Sequence, residues 1–314
     1  MKIFVTGANG QLGYDVIKEA KSRGYEVIKS DIQDNNTFDL KYIRLDITNE
    51  DDVMRILKDY EPDVVIHCAA WTNVDKAELA ENLETVMNIN AIGTRNIAVA
   101  CKAIDAKMIY ISTDYVFGEN KQQLNSTYNF STFTRPHKPD DKDFYPVNVY
   151  GYSKLEGEFN IISSSLEKYF IVRTSWVYGI NGINNFPKSI IKAGKSHDKL
   201  SVVYDQIGNP TYTVDLARLL IDMSESDKYG IYHATNSGQY ISWYKFAKQI
   251  FKEYGINVKV NPITTEEYNP VAKRPYNSRL DKRKLKQNGF KKLPHWKNAL
   301  RRYIEELKNE GDLI

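Results

Sequence analysis

A hydroxyl, a phenol and an ammonium are spaced in this chain for moving a proton. Thr113 lies in Ser112-Thr113-Asp114-Tyr115-Val116-Phe117-Gly118, and Tyr150 and Lys154 lie in Tyr150-Gly151-Tyr152-Ser153-Lys154. On a helix, residues four apart share a face, which puts Lys154 beside Tyr150. A free phenol has a pKa of about 10. A neighbouring ammonium favours phenolate and is expected to lower that value. Such a phenol gives a proton to a carbonyl oxygen and takes one back in the reverse direction. Thr113 or Ser112 can hydrogen-bond the same oxygen and polarise it. The set lacks a source of hydride, which a nicotinamide dinucleotide supplies.

The first residues provide a place for one. Gly7-Ala8-Asn9-Gly10-Gln11-Leu12-Gly13 joins a strand pattern over 3–6 to a helical pattern over 12–23. Glycine is needed where the chain turns tightly and where backbone must approach a pyrophosphate. The helix N-terminus then offers free N–H groups to the anion. The loop is therefore expected to bind a dinucleotide through Gly7, Asn9, Gly10, Gln11, Leu12 and Gly13. Asp31 ends the second strand, where a carboxylate accepts from ribose hydroxyls and repels a 2′-phosphate. That favours NADH, while nearby Lys29 softens the repulsion and keeps NADPH open. Asp46 and Ile47 end the third strand, where they meet an adenine edge or Asp46 caps the following helix. Ala69 and Ala70 end the fourth strand and are small enough for a nicotinamide ribose to lie close.

The elements that must hold these residues alternate. Short apolar runs over 3–6, 26–30, 42–46, 64–68, 108–112 and 170–174 read as strands. Helical patterns over 12–23, 50–60 and 79–103, and around Lys154, lie between them. Strands separated by helices predict an α/β fold, a Rossmann-type doubly wound parallel sheet. The pattern loosens after Val177. Helices are expected over 185–193, 214–223 and 242–254, with short strands near 201–203 and 231–234. Residues 1–175 are expected to form the dinucleotide-binding domain. Residues 176–314 are expected to form a smaller α/β substrate-binding region sharing some segments with it. Residues 119–145 are polar and rich in Asn, Ser, Thr and Pro, too long for an ordinary connection, and read as a functional flap or a mobile loop.

Composition excludes several classes. The 314 residues are 42% hydrophobic and 26% charged, with net charge +3. These values describe a soluble globular protein whose charge is too small to imply nucleic acid. Cys68 and Cys101 make no disulfide framework, which fits a reducing cytoplasm. No apolar run is long enough to span a bilayer, so no membrane partner is expected, and no signal peptide is read at the N-terminus. The five histidines show no metal-ligand spacing, and no metal site is assigned.

With these residues in place, the chain resembles the extended short-chain dehydrogenase/reductase superfamily and, within it, the dTDP-4-dehydrorhamnose reductase family. The likeness rests on the glycine loop, Leu45-Asp46-Ile47-Thr48, and Ala69-Ala70-Trp71-Thr72-Asn73-Val74-Asp75-Lys76-Ala77-Glu78. It continues through Asn90-Ala91-Ile92-Gly93-Thr94, Ser112 to Phe117, and Pro146 to Lys154. Arg173-Thr174-Ser175-Trp176-Val177-Tyr178-Gly179, Gly208-Asn209-Pro210-Thr211 and Arg274-Pro275-Tyr276-Asn277-Ser278 complete it. The resemblance implies NADH- or NADPH-dependent reduction of dTDP-4-dehydro-L-rhamnose to dTDP-L-rhamnose. Tyr150 would be the general acid, Lys154 its tuner and Thr113 the carbonyl partner. Thr72 and Asn90 would join the cofactor contacts. Val74, Lys76, Asp114, Tyr115 and Trp176 would line the sugar pocket. The resemblance also allows a homodimer and magnesium, without assigning residues to either. A dehydratase of this superfamily would have an acid after Thr113-Asp114. Tyr115 stands there, which favours simple reduction. A ketoreductase or epimerase acting on another nucleotide-linked 4-keto sugar, or a non-catalytic NADP-binding regulatory subunit, is the alternative reading. The segment between Phe117 and Tyr150 is longer than is usual in the family, and Trp71 stands where a Tyr is common.

Overall fold

Side chains along the central strands alternate between two apolar layers, as a sheet covered on both faces requires. The computed structural model describes residues 1–33, 42–118 and 135–311. Its strands are β1 (Lys2–Thr6), β2 (Glu26–Asp31), β3 (Tyr42–Arg44), β4 (Val64–His67), β5 (Lys107–Thr113) and β6 (Tyr169–Thr174). They continue with β7 (Val177–Tyr178), β8 (Lys199–Val203), β9 (Ile207–Gly208), β10 (Thr211–Tyr212), β11 (Gly230–His233), β12 (Ile241–Ser242) and β13 (Lys259–Ile263). The main sheet runs β3-β2-β1-β4-β5-β6-β11, parallel throughout. Ile3, Val5, Ile66 and Val172 pack on one face with Val16 and Ile17 of helix Gln11–Ser22 and Leu216 and Leu220 of helix Thr213–Ser224. Phe4, Val65, Met108 and Ile171 pack on the other with Val53 of helix Glu50–Tyr60 and Ile97 of helix Gly93–Ala103. Each aliphatic side chain so buried stabilises the fold by roughly 1.5–3 kcal/mol. The fold is doubly wound, and strand order reverses direction between β1 and β4, where such sheets open a crevice for ligands.

A second apolar cluster lies beyond the carboxyl ends of the strands. It gathers Tyr178, Ile191, Phe246, Trp296 and Leu300 from helices Phe186–Ser196, Trp243–Tyr254 and Trp296–Asn309 and from the short pair β7 and β10. Strand β11, although late in the sequence, pairs with β6 and extends the main sheet. Helix Thr213–Ser224 likewise packs on helix Gln11–Ser22. Chain from the second half thus completes the sheet of the first.

The helix expected over 79–103 is interrupted. A 3-10 turn at Ala80–Asn82 and helix Leu83–Met87 lead into a π turn at Asn88–Ile92, followed by helix Gly93–Ala103. The wider turn carries Asn90, whose side chain accepts from Trp71 N (2.8 Å). The same amide donates to Trp71 O (3.1 Å) and Ser153 Oγ (2.9 Å). One buried amide thus ties the end of β4 to the helix that carries Tyr150. Of the polar stretch 119–145, residues 119–134 lie outside the described residues. The remainder is held in place: His137 N donates to Arg279 O, Asp281 N donates to His137 O, both at 2.8 Å, and the His137 ring stacks on Phe117 at 4.3 Å. Among the described residues no helix is long and apolar enough to cross a membrane.

Replacing Asn90 by Ala strands the Trp71 backbone groups and removes a donor from the Ser153 hydroxyl, which still donates to Tyr150 O. We expect Asn90→Ala to lower unfolding free energy by about 1–3 kcal/mol in urea titrations, with an unchanged denaturant slope.

Candidate active site

Strand β1 ends in a turn that only glycine can make. Gly7 sits at φ +65°, and a Cβ there would lie 2.6 Å from Ala69 N. A Cβ on Gly13 would collide with the Gly7 carbonyl oxygen. Helix Gln11–Ser22 begins here with no side-chain cap and no acid in its first turn, leaving its N–H groups and positive dipole end for an anion. These features fit a dinucleotide pyrophosphate, with Gly7 to Gly13 as its cradle. The loop is braced from both sides: Asn9 N donates to Asp31 Oδ2 (3.0 Å), and Asn181 Nδ2 donates to Asn9 O (2.7 Å).

A cavity of about 1250 Å³ runs from this loop across the carboxyl ends of the strands. Its wall includes Gly7, Asn9, Gly10, Gln11, Leu12, Gly13, Asp31, Asp46, Ile47, Ala69, Ala70 and Thr72 at the nucleotide end. Asp46 does not cap the next helix. Asn49 does, accepting from Asp52 N (3.1 Å), while Asp46 holds its own turn through Thr48 N (2.9 Å). Lys29, two residues before Asp31, is fully buried and is not part of the wall. Asn90 also stands behind the wall, because its amide is spent on Trp71 and Ser153. That differs from the expected cofactor contact.

At the other end, the cavity collects Val74, Thr113, Asp114, Tyr115, Tyr150, Lys154 and Trp176. Helix Val149–Ser163 begins at Asn148, which accepts from Gly151 N (2.7 Å), and Tyr150 falls in its first turn. Ser112 and Thr113 end β5, one facing each way. The Ser112 hydroxyl is bonded to buried Glu158, so Thr113 is the hydroxyl left facing the cavity. Thr113 Oγ1 lies 3.1 Å from Asp114 Oδ1 and accepts from Tyr115 N (3.2 Å). The Tyr115 ring meets the Tyr150 ring edge-on at 5.7 Å.

Electrostatics here differ from the expectation. Burial pushes the Tyr150 phenol up to about 12, a hydrogen bond with Thr113 lowers it in part, and Asp114 raises it. Burial acts on Lys154 as well. Its amine is pushed down to about 7, with the Glu158 carboxylate opposing the shift, and Nζ lies 4.0 Å from the centre of the Tyr110 ring. Burial also lifts Asp114 to about 7, against hydrogen bonds from Ser278 and Thr113. The site therefore holds a neutral phenol ready to donate.

Two side chains entered the site that the sequence did not single out. Trp243 stacks on Trp176 at 3.8 Å, and both line the cavity. Trp176 adopts φ +50°, a left-handed conformation costly for a bulky residue and concentrated at functional sites. Arg274 lines the cavity where Lys76 is expected. Its Nη2 lies 2.9 Å from Asp75 Oδ2 and it reaches the wall, whereas Lys76 is exposed outside it. Arg274 had been visible only as part of a motif. Among the described residues, no cluster of three or more His, Cys, Asp or Glu could hold a metal ion, so magnesium gains no ligand set.

Residues 1–309 match the family model described as RmlD substrate binding domain. The chain belongs to that family. It is 38% identical to the spore coat polysaccharide biosynthesis protein SpsK of Bacillus subtilis over 99% of both chains. Among solved structures it is similar to a dTDP-4-dehydrorhamnose reductase of Clostridium acetobutylicum, at 43% identity and TM-score 0.86, covering 98% of this chain and 100% of that one. It is also similar to the dTDP-4-dehydrorhamnose reductase of Bacillus anthracis in complex with NADP, at 39% identity and TM-score 0.84, covering 97% and 99%.

In this member of the RmlD family, burial acts against the charged form of Lys154. Its folded pKa lies near 7, below the ordinary lysine value of 10.5. Below about pH 7 the cost of burying the charge is felt in full; as pH rises toward 10.5 the unfolded chain loses its proton too and the cost fades. Lys154→Met is therefore expected to melt higher than the parent at pH 6–7, with the gap closing by pH 10, in thermal unfolding across pH.

Proposed function

We propose that this protein is an NADH- or NADPH-dependent oxidoreductase that reduces dTDP-4-dehydro-L-rhamnose to dTDP-L-rhamnose. One observation carries the reading: Thr113, Tyr150 and Lys154 converge on the same cavity as the glycine loop. A bound reduced dinucleotide supplies hydride to the carbonyl carbon. Tyr150 donates its proton to the carbonyl oxygen as negative charge develops there. Thr113 hydrogen-bonds that oxygen and holds it toward the phenol. Lys154, one turn behind Tyr150, stabilises the phenolate left after transfer. The paired Trp176 and Trp243 rings offer an apolar wall suited to the methyl-bearing face of a deoxysugar. Val74, Asp114 and Tyr115 complete the sugar's surroundings, and Arg274 attracts its diphosphate. Tyr115, where a dehydratase would carry an acid, supports reduction without elimination. Asp31 and Asp46, with Ile47, take the adenosine end, and Ala69, Ala70 and Thr72 border the nicotinamide ribose. The reading places the reaction in the cytoplasm, and the two unpaired cysteines, Cys68 and Cys101, support that placement.

The test supplies the 4-keto sugar with each reduced dinucleotide and follows nicotinamide absorbance. Tyr150→Phe should keep dinucleotide binding and lose turnover by about 100- to 10,000-fold. Parent-level turnover by the variant would defeat the mechanism, and no oxidation in any combination would defeat the activity. Asp31→Ala removes the charge that opposes a 2′-phosphate. It should improve KM for NADPH relative to NADH by roughly tenfold or more.

A further inference from the structure

Glu158 lies one helical turn beyond Lys154 on helix Val149–Ser163, 1% exposed and outside the cavity wall. Positions 150, 154 and 158 form one stripe that runs from the cavity into the core. Arg173 of β6 grips the Glu158 carboxylate with two nitrogens, Nη2 at 2.6 Å from Oε2 and Nε at 2.9 Å from Oε1. The Ser112 hydroxyl bonds Oε1 from the next strand, one residue before Thr113. Arg173 also donates to Pro139 O (3.2 Å) and lies beside the Phe117 and Phe144 rings, at 4.9 and 5.1 Å. Apolar replacements of buried ion pairs are often neutral or stabilising, so fold stability alone does not account for this cluster.

Resting on the reductase reading, we propose that Glu158 is a positioning residue for the reaction. Through Ser112 and Arg173 it locks the helix bearing Tyr150 and Lys154 to the strand bearing Thr113, and its carboxylate is the negative charge one helical turn behind the Lys154 amine. The groups facing Lys154 support the second half. Tyr150 and Glu158 come from its own helix, Tyr110 from β5, and His67 and Cys68 from the end of β4. Burial drives His67 down to about 3 and the Cys68 thiol up to about 12, so both are neutral near pH 7. Among these groups Glu158 alone brings negative charge.

The test uses full-length Glu158→Gln, Ser112→Ala and the double variant Glu158→Gln, Arg173→Gln. Two readouts are taken: the pH profile of kcat with the 4-keto sugar, and the pH midpoint at which acetic anhydride acylates Lys154, scored by peptide mass spectrometry. In Glu158→Gln the alkaline limb of kcat and the acylation midpoint should both fall by about one pH unit. The uncompensated Arg173 acts with the same sign. Ser112→Ala should lower kcat while moving neither midpoint. The double variant should fall between parent and single variant, and it carries the test if the single variant does not fold. Unmoved midpoints in Glu158→Gln, or a double variant equal to the parent, would overturn the proposal, even if kcat fell. A parent that failed to reduce the sugar would defeat the reductase reading instead, and the acylation midpoints would still decide the role of Glu158.

Discussion

Helix Val149–Ser163 approaches strand β5 so closely that Gly157 could carry no side chain. A Cβ there would run into the Tyr110 hydroxyl and come within 2.6 Å of the Asn90 carbonyl oxygen. At the helix start, a Cβ on Gly151 would collide with the Tyr115 carbonyl oxygen. Between these two contacts Lys154 is pressed against the Tyr110 ring and has little water around it. Close approach therefore brings Tyr150 over the end of β5, beside Thr113, and strips solvent from the amine behind it. Preorganised donors in a dry site act more strongly on developing charge than the same groups would in water.

The same proximity is costly. An amine held near neutrality and a carboxyl such as Asp114 lifted by burial are groups the fold tolerates for the sake of the reaction. The surrounding network answers part of the cost. Asn90 bolts the β4 end to Ser153, and Glu158 with Arg173 spans the helix, β5, β6 and the segment after residue 134. Breaking one partner of such a buried pair costs about 3–5 kcal/mol. The network's rigidity is thus tied to the position of Tyr150 and Lys154.

Much of this was legible in the residue order. Alternating strand and helix patterns gave the doubly wound sheet, and the glycine spacing marked its nucleotide end. Thr113, Tyr150 and Lys154 could be singled out by residue type, and Tyr150 with Lys154 by helical spacing, and the three line one cavity. What failed to show was tertiary. Asn90 reads as a helix residue until Trp71 and Ser153 are placed beside it. Lys76 and Arg274 are equivalent cations on paper, and only the Asp75 bond decides which one reaches the cavity. The Trp176 and Trp243 stack joins residues far apart in sequence. Burial raises the Tyr150 phenol, and burial cannot be read from spacing, whereas a neighbour's charge can.

The central claim is that hydride and proton meet at one carbonyl under Tyr150. It is tested most directly by reducing dTDP-4-dehydro-L-rhamnose with a dinucleotide dideuterated at nicotinamide C4 and locating the label in the product. The account predicts one deuterium at sugar C4, matched by one equivalent of oxidised dinucleotide, and labelled product formed about 100- to 10,000-fold more slowly with Tyr150→Phe. Deuterium absent from the sugar, or a product epimerised or dehydrated without net oxidation of the dinucleotide, would contradict it.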